Sequence, residues 1–212
     1  TDPTTDPTTD PTSDPTSDPT AEPSAATTPD ATTTTELDDD GYEQCATAEL
    51  ISGIKLNVQR NVDDQMVRIM MAGPNTAWFG YGFGSEIMTG AYGVTAEGAD
   101  ATSFGIRERA LDSSDGPGAS LEASGSTSVI SDGESMLAIL ERPYSSTNGG
   151  FDFTDFMTCS IDNINIIAAQ GSTTTMEFHS IYTPRKTEDP EVLTRLSTCI
   201  CDDDNMESST TS

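Results

Sequence analysis

The chain has 212 residues, of which 36 are acidic and 9 are basic, and its formal net charge is −27. This negative charge excludes nucleic acid and anionic membrane surfaces as partners, because both bind proteins through Lys and Arg side chains. No run approaches the roughly 18 apolar residues that a membrane-spanning helix needs, so we expect no direct membrane insertion. The chain begins at Thr1 without an apolar leader, and we interpret it as a mature or truncated product.

The charged and apolar residues divide the chain into unlike parts. Residues 1–44 hold 12 acidic and no basic residues, whereas residues 45–212 hold 24 acidic and 9 basic residues, a net charge of −15. Only the second part has the aliphatic and aromatic side chains that a core requires, and its length suits one domain. We therefore predict a stalk over 1–44, a folded domain over 45–201 and an acidic, Ser/Thr-rich tail over 202–212.

The stalk begins with five copies of a tetrapeptide, TDPT TDPT TDPT SDPT SDPT, over residues 1–20. Each proline restricts its own φ and pushes the preceding aspartate toward extended backbone, which favours a rod of polyproline II type. Such a Thr, Ser and Pro composition is typical of O-glycosylated, mucin-like segments, and a plain disordered linker is the alternative. The predicted glycosylation sites are Thr1, Thr4, Thr5, Thr8, Thr9, Thr12, Ser13, Thr16, Ser17 and Thr20.

Three segments after the stalk have the pattern of β-strands. Residues 54–58 place Ile, Leu and Val at every second position, which predicts a half-buried strand. Residues 66–71 are apolar at almost every position, which predicts a central strand. Residues 77–84 alternate aromatic residues with glycine, so the glycine side of this strand would let another group approach closely.

Further strands follow, separated by clusters of Gly, Ser and Asp. Their number and these polar turns predict an all-β fold, an antiparallel sandwich of immunoglobulin-like architecture. One helix is predicted, from Asp189 as its cap through Pro190 to Leu196. The remaining predicted strands span 91–97, 103–109, 120–124, 135–142, 151–157, 163–169 and 174–182.

Four cysteines, Cys45, Cys159, Cys199 and Cys201, all fall in the folded part. An even number beside a secreted-type stalk predicts two intrachain disulfides. We expect Cys45 to pair with Cys199 or Cys201, joining the two ends of the domain, and Cys159 to pair with the other. A metal site is the rival interpretation, but the chain has no C-x-x-C pair and a single histidine.

The order of several motifs resembles the DOMON family. The first motif is AWFGYGFGSEIMTGAYGVT at 77–95, an aromatic-glycine strand followed by a loop with Met and a second strand. Three further segments resemble the later strands of the family: LAILERPY at 137–144, FDFTDFMTCSIDNINIIAAQG at 151–171 and MEFHSIY at 176–182. The resemblance covers residues 46–183 and implies a β-sandwich outside cells or facing the lumen that binds haem b or sugars.

The resemblance also implies two ligand-binding residues. In haem-binding members, such as the cytochrome domain of cellobiose dehydrogenase, a Met and a His are the axial ligands, and Met88 and His179 fall at those positions. A Met/His pair favours electron transfer, because it leaves no open coordination position on the iron. The alternatives are sugar contact through Trp78, Tyr81 or Tyr92 and a site that has lost its ligand.

Two functions from different classes remain. The first is an extracellular structural glycoprotein, a subunit of a surface coat or glycosylated fibre that self-associates and contacts carbohydrate, with no certain cofactor. The alternative is an extracellular haem b electron carrier on a glycosylated tether. No enzyme activity is predicted, since the single histidine and the lack of a nucleophile elbow leave no Ser-His-Asp arrangement. We favour the structural function, because the repeat is the least ambiguous feature of the sequence.

Overall fold

The computed structural model describes residues 38–100, 102–111, 118–176, 181–183, 195–197 and 199, and for 181–183 and 195 it describes the backbone alone. Tertiary contacts divide the chain into one unit of Thr1–Thr34 and another of Thr35–Ser212, and every described residue belongs to the second unit. The tetrapeptide repeat with its glycosylation sites, His179 and Cys201 lie outside the described residues.

The described residues form twelve strands and one short helix. In chain order these elements are β1 (Glu43–Ile51), β2 (Ile54–Asn61), β3 (Met66–Pro74), β4 (Phe79–Phe83), β5 (Ala91–Glu97), β6 (Gly105–Leu111), β7 (Ala119–Ser120), β8 (Ser126–Ser131), β9 (Ser135–Pro143), α1 (Thr154–Met157), β10 (Asn163–Gln170), β11 (Ile181–Thr183) and β12 (Arg195–Ser197).

The strands pair into two antiparallel sheets. The first sheet has the order β1-β2-β3-β9-β8, and the second has the order β11-β10-β4-β5-β6-β7, with β12 also paired to β10. The prediction of an all-β, antiparallel fold is therefore confirmed. The apolar segment 66–71 lies, as predicted, in a central strand, β3, between β2 and β9.

Alternation along the strands places one face of each sheet in a shared core. Ile54 and Leu56 of β2 are buried, whereas Lys55 between them is exposed. Phe79 and Tyr81 of β4, in the other sheet, belong to the same cluster of buried side chains. The two sheets therefore pack face to face as a β-sandwich, with their alternate side chains interdigitated.

The segment 151–157 forms a loop and the helix α1, so the strand predicted there is wrong. The Asp152 carboxylate accepts a hydrogen bond from the Thr154 N–H (2.9 Å), which favours a turn at this point. Phe153 and Phe156, three residues apart, are then both fully buried. The apolar pattern of this segment thus reflects one helical turn against the core rather than the period of two in a strand.

The strand predicted at 120–124 is also misplaced. Strand pairing in this region covers β7 and then resumes in β8, so most of the predicted segment is irregular. The Ser124 N–H donates instead to the buried Glu108 carboxylate (2.6 Å), which takes this backbone group out of a strand ladder.

The last two predicted elements are only partly described. Of the strand predicted at 174–182, residues 174–176 are irregular and the backbone of β11 begins at Ile181. Leu196, predicted to end a helix, lies in β12 opposite Ile164 of β10, so the helix prediction is wrong at this residue. Pairing with a formed sheet outweighs the local helical pattern here, and residues 189–194 lie outside the described residues.

Candidate functional site

The outward side of β4 and β5 is built from glycines. Gly80 and Gly82 alternate with the aromatic core residues of β4, so they face away from the core. A Cβ on Gly80 would lie 2.5 Å from the Val94 carbonyl oxygen, and a Cβ on Gly82 would lie 2.7 Å from Cγ1 of Ile167. Only glycine fits at such distances, which agrees with the close approach predicted from the sequence. We name the outward surface around Gly80, Gly82 and Gly93 the glycine face.

Apolar side chains cover the glycine face. Trp78 and Met176 line the space above it, and the cavity that remains has a volume of about 20 Å³, which is room for one water. The glycine face is therefore closed to larger molecules in this structure. A small buried cluster, separate from the main core, covers this face. It consists of Met88, Ala91, Leu111 and Ile167.

The loop between β4 and β5 positions Met88 over the glycine face. Gly84 and Gly90 adopt positive φ values of +85° and +82°, which glycine tolerates without strain and which turn the chain at each end of the loop. The Gly84 N–H donates to the Asn165 carbonyl (2.9 Å), and the Gly90 N–H donates to the Leu111 carbonyl (2.7 Å). Both ends of the loop are thus fixed to the neighbouring strands, and the Met88 side chain is buried between them.

The residues on the glycine face do not fit a haem as they stand. Met88 lies there, but its predicted partner His179 is outside the described residues, so their approach stays a prediction. Small-molecule pockets usually measure about 300–1,000 Å³, whereas the cavity beside Met88 measures about 20 Å³. A porphyrin would require the side chains above the glycine face to move apart.

Trp78 contributes an unusual polar group to this apolar site. Its indole Nε1 is buried and has no hydrogen-bond acceptor among the described residues. Gly171 lies directly beside the indole, since a Cβ there would be 1.9 Å from Nε1. The indole N–H is thus held against the backbone at Gly171 without an acceptor among the described residues.

The three rings predicted to contact sugar are all buried. Trp78, Tyr81 and Tyr92 are 1%, 2% and 5% exposed. The Tyr81 hydroxyl donates to the Ile54 carbonyl (2.8 Å), deep between the sheets, and burial raises the pKa of Tyr81 to about 12. None of the three rings presents an open face on which a sugar would stack.

A larger cavity lies beside the glycine face and carries charge. Glu97 of β5 faces Arg107 and Arg109 of β6: Arg107 Nε is 3.2 Å from Glu97 Oε1, and Arg109 Nη2 bonds the same oxygen. The cavity measures about 490 Å³ and is also lined by Thr175 and Met176. Two guanidinium groups and one carboxylate suit a hydroxyl-rich or carboxylate-bearing ligand. Sequence reasoning missed this site, although the spacing of Arg107 and Arg109, two positions apart in β6, indicates that both side chains share a face.

A second ionic cluster lies inside the sandwich, and sequence reasoning missed it too. Arg142 of β9 is fully buried, with Nη1 3.8 Å from Oε1 of Glu108 of β6 and Nη2 donating to the Phe151 carbonyl (3.0 Å). The Tyr92 hydroxyl donates to the same Glu108 carboxylate, and burial raises the Tyr92 pKa. These contacts join the two sheets through charge as well as through apolar packing.

The cysteines cross-link the ends of the domain. Cys45 of β1 forms a disulfide with Cys199, which is one of the two pairings predicted for Cys45. Cys159 is also disulfide-bonded, and Cys201, the remaining cysteine of the chain, lies outside the described residues. The Cys45–Cys199 bond spans 154 positions of sequence, so it closes almost the whole sandwich into one covalent loop.

Comparison of the chain with protein-family models, curated proteins and solved structures finds no match. Among the described residues, no helix is long and apolar enough to cross a membrane. The class that the fold itself defines is thus a disulfide-linked, antiparallel β-sandwich.

Proposed function

We propose that the protein is an extracellular structural glycoprotein, a subunit of a surface coat or glycosylated fibre. The observation that carries this proposal is the combination of a regular Thr/Asp/Pro repeat with a β-sandwich closed by the Cys45–Cys199 disulfide. Disulfides persist in oxidising compartments, and Ser/Thr/Pro repeats acquire O-linked sugars there. In this proposal the repeat forms an extended, glycosylated stalk, and the sandwich is a DOMON-like spacer or ligand-binding domain.

The covering of the glycine face supports a structural role for the sandwich over a haem-carrying one. The space beside Met88 is filled by apolar side chains, which stabilise the second sheet from outside. Carbohydrate contact is best supported at the cavity of Glu97, Arg107 and Arg109, because the Arg107 side chain is 62% exposed there and the cavity volume suits a sugar unit.

Intact-mass measurement of the protein from its natural source tests the glycosylation. We expect a mass above that calculated from the sequence, which enzymatic or chemical removal of O-glycans lowers, whereas a peptide N-glycosidase changes nothing because the chain has no N-x-S/T sequon. A mass equal to that of the bare chain would refute the stalk proposal.

Electron microscopy before and after removal of the O-glycans tests the assembly. A bare repeat offers almost no apolar area, so we expect coats or fibres to disperse when the sugars are removed. Glycosylated protein that stays monomeric at high concentration would rule out a coat or fibre, and fibres that persist after sugar removal would rule out contacts through glycans.

The haem b electron carrier is the second proposal, and the position of Met88 on the glycine face is the observation that favours it. A visible absorption spectrum of the purified protein separates the two proposals. We expect no Soret band for the structural glycoprotein. A Soret band that is lost in both Met88→Ala and His179→Ala variants would favour the haem proposal instead.

A further inference from the structure

Strand β8 is an edge strand without the usual protection. It ends the first sheet, and no other described strand pairs with its free edge. Natural edge strands carry Lys, Pro or bulges that prevent pairing with another molecule. β8 reads STSVIS and belongs to the uncharged run 123–131, and five of its six residues are exposed. Its free N–H and C=O groups are therefore open to a further strand.

The sheet face beside this edge is partly apolar. Ile130 of β8 is 60% exposed and lies opposite Leu137 of β9. Ser128 lies opposite Ile139, which in turn lies opposite Met70 of β3. All three of the apolar neighbours on β9 and β3 are only partly buried. An edge strand beside a half-exposed apolar strip is the arrangement that strand addition extends.

From these observations we infer that β8 pairs antiparallel with β8 of a second copy of this chain, joining two first sheets into one ten-stranded sheet. The distribution of charge favours this edge as the place where two copies meet. Residues 45–212 carry a net charge of −15, so two copies repel each other over most of their surfaces, and the uncharged edge is where contact is least opposed. The inference rests on the proposed self-association and names a surface for it.

A symmetric pairing centred on Val129 satisfies the geometry. Directly opposite residues must share a face of the sheet, and this register sets Val129 opposite its own copy and Ile130 opposite Ser128. The two Ile130 side chains are then diagonal neighbours on the outer face. Asp132, which follows the strand, falls opposite Ser126, so no carboxylate opposes another across the junction.

Sedimentation velocity of the full-length glycoprotein over a range of concentrations, at physiological and at higher salt, tests this pairing. We expect a monomer–dimer equilibrium that strengthens with salt, since salt screens the acidic repulsion. Ile130→Lys should weaken dimerisation at least about tenfold, because it removes apolar contact and sets like charges together at the junction. Ser128→Lys, on the same face of β8, should act in the same direction.

Val62→Lys is the matched control. Val62 is also β-branched and 58% exposed, but it lies in the turn between β2 and β3, away from the edge. Amide hydrogen exchange adds a second readout, since β8 should gain protection with concentration in the wild type and not in Ile130→Lys. Equal dimerisation of Ile130→Lys and Val62→Lys, or a wild type that stays monomeric at both salt concentrations, overturns the inference.

Electron microscopy of the same variants separates this inference from the assembly proposal. Normal fibres from Ile130→Lys would reject the β8 junction and leave the coat or fibre proposal standing. A wild type that forms an Ile130-dependent dimer but never forms fibres would support the β8 junction and reject the coat or fibre proposal.

Discussion

Arg142 places a positive charge between the two sheets, where few partners are available. Its Nε and Nη1 atoms are buried without a hydrogen bond among the described residues, although Nη1 is within ion-pair distance of Glu108. The guanidinium also lies over the rings of Tyr92 and Phe153, 5.3 and 5.5 Å from their centres. The charge is thus held by the Glu108 carboxylate, the Phe151 carbonyl and two aromatic faces, and its contribution to stability depends on all of them.

Replacement of Arg142 should therefore lower the stability of the fold. We expect Arg142→Met to lower the free energy of unfolding by about 3 kcal/mol, because Glu108 would keep a buried charge without its cation. Adding Glu108→Gln should recover part of this loss. Urea denaturation measures both, with Arg107→Met as a control whose exposed side chain should contribute less than about 0.5 kcal/mol. A loss in Arg142→Met no larger than in the control would contradict this account.

Buried tyrosines predict how stability changes with pH. Burial raises the pKa of Tyr81 and Tyr144 to about 12 and also raises the pKa of Tyr92, whereas a tyrosine in the unfolded chain titrates near 10. The native state then holds more protons than the unfolded state above pH 10. The contribution of the protonated tyrosines to the free energy of unfolding is therefore complete below pH 10, and it falls as the pH rises from 10 toward 12.

Denaturation at a series of alkaline pH values measures this decline. Tyr81→Phe should be less stable by about 1 kcal/mol at neutral pH, because the Ile54 carbonyl loses its donor, and its stability should fall less steeply above pH 10. Stability that is flat over this range would show that the phenols ionise as easily in the fold as in water.

At the scale of single elements, the glycines of β4 give a sharp prediction. Gly80→Ala should lower the free energy of unfolding by about 1–3 kcal/mol, since its Cβ would meet the Val94 carbonyl oxygen and force β4 and β5 apart. Gly105→Ala, in β6, is the matched control, because a Cβ there meets nothing within 4 Å. Thermal unfolding of the two variants compares them, and equal stabilities would refute the close packing on the glycine face.

The strands that sequence reasoning found are those with large apolar residues. Strand β5 matches the predicted 91–97, and β2 and β3 contain the predicted alternating segments. Strands β1 and β8 were missed, because EQCATAELI and STSVIS are built from small and polar residues whose pairing depends on the neighbouring strand. Edge strands of this kind have no periodic signal of their own.

The site was predicted only in part, for a similar reason. The alternation of glycine and aromatic residues in β4 indicates a close approach, and the structure places Ile167 and Thr95 there. The contacts of Glu97 with Arg107 and of Glu108 with Arg142 join residues from different strands. Such pairs depend on strand register, which a single sequence does not contain.

At the scale of the whole molecule, the Cys45–Cys199 disulfide should contribute strongly to stability. A variant with Cys45→Ser and Cys199→Ser keeps the bond of Cys159, and we expect it to lose about 2–5 kcal/mol of unfolding free energy, because the unfolded chain regains the freedom of a long loop. Urea denaturation of this variant beside the wild type measures the effect. An unchanged midpoint would mean that packing alone holds β1 in place.

The same bond determines how the chain carries tension. A pull applied to the residues before Cys45 and after Cys199 passes from one sulfur to the other and bypasses the chain between them, which spans a sequence separation of 154. The sandwich cannot lengthen under such a load while the bond is intact, however weak its individual strands are. Reduction of this bond and of the bond at Cys159 would release roughly 500 Å of extended chain, at about 3.3 Å per residue. In a coat or fibre, this one bond would make each domain an inextensible link whose strength is covalent.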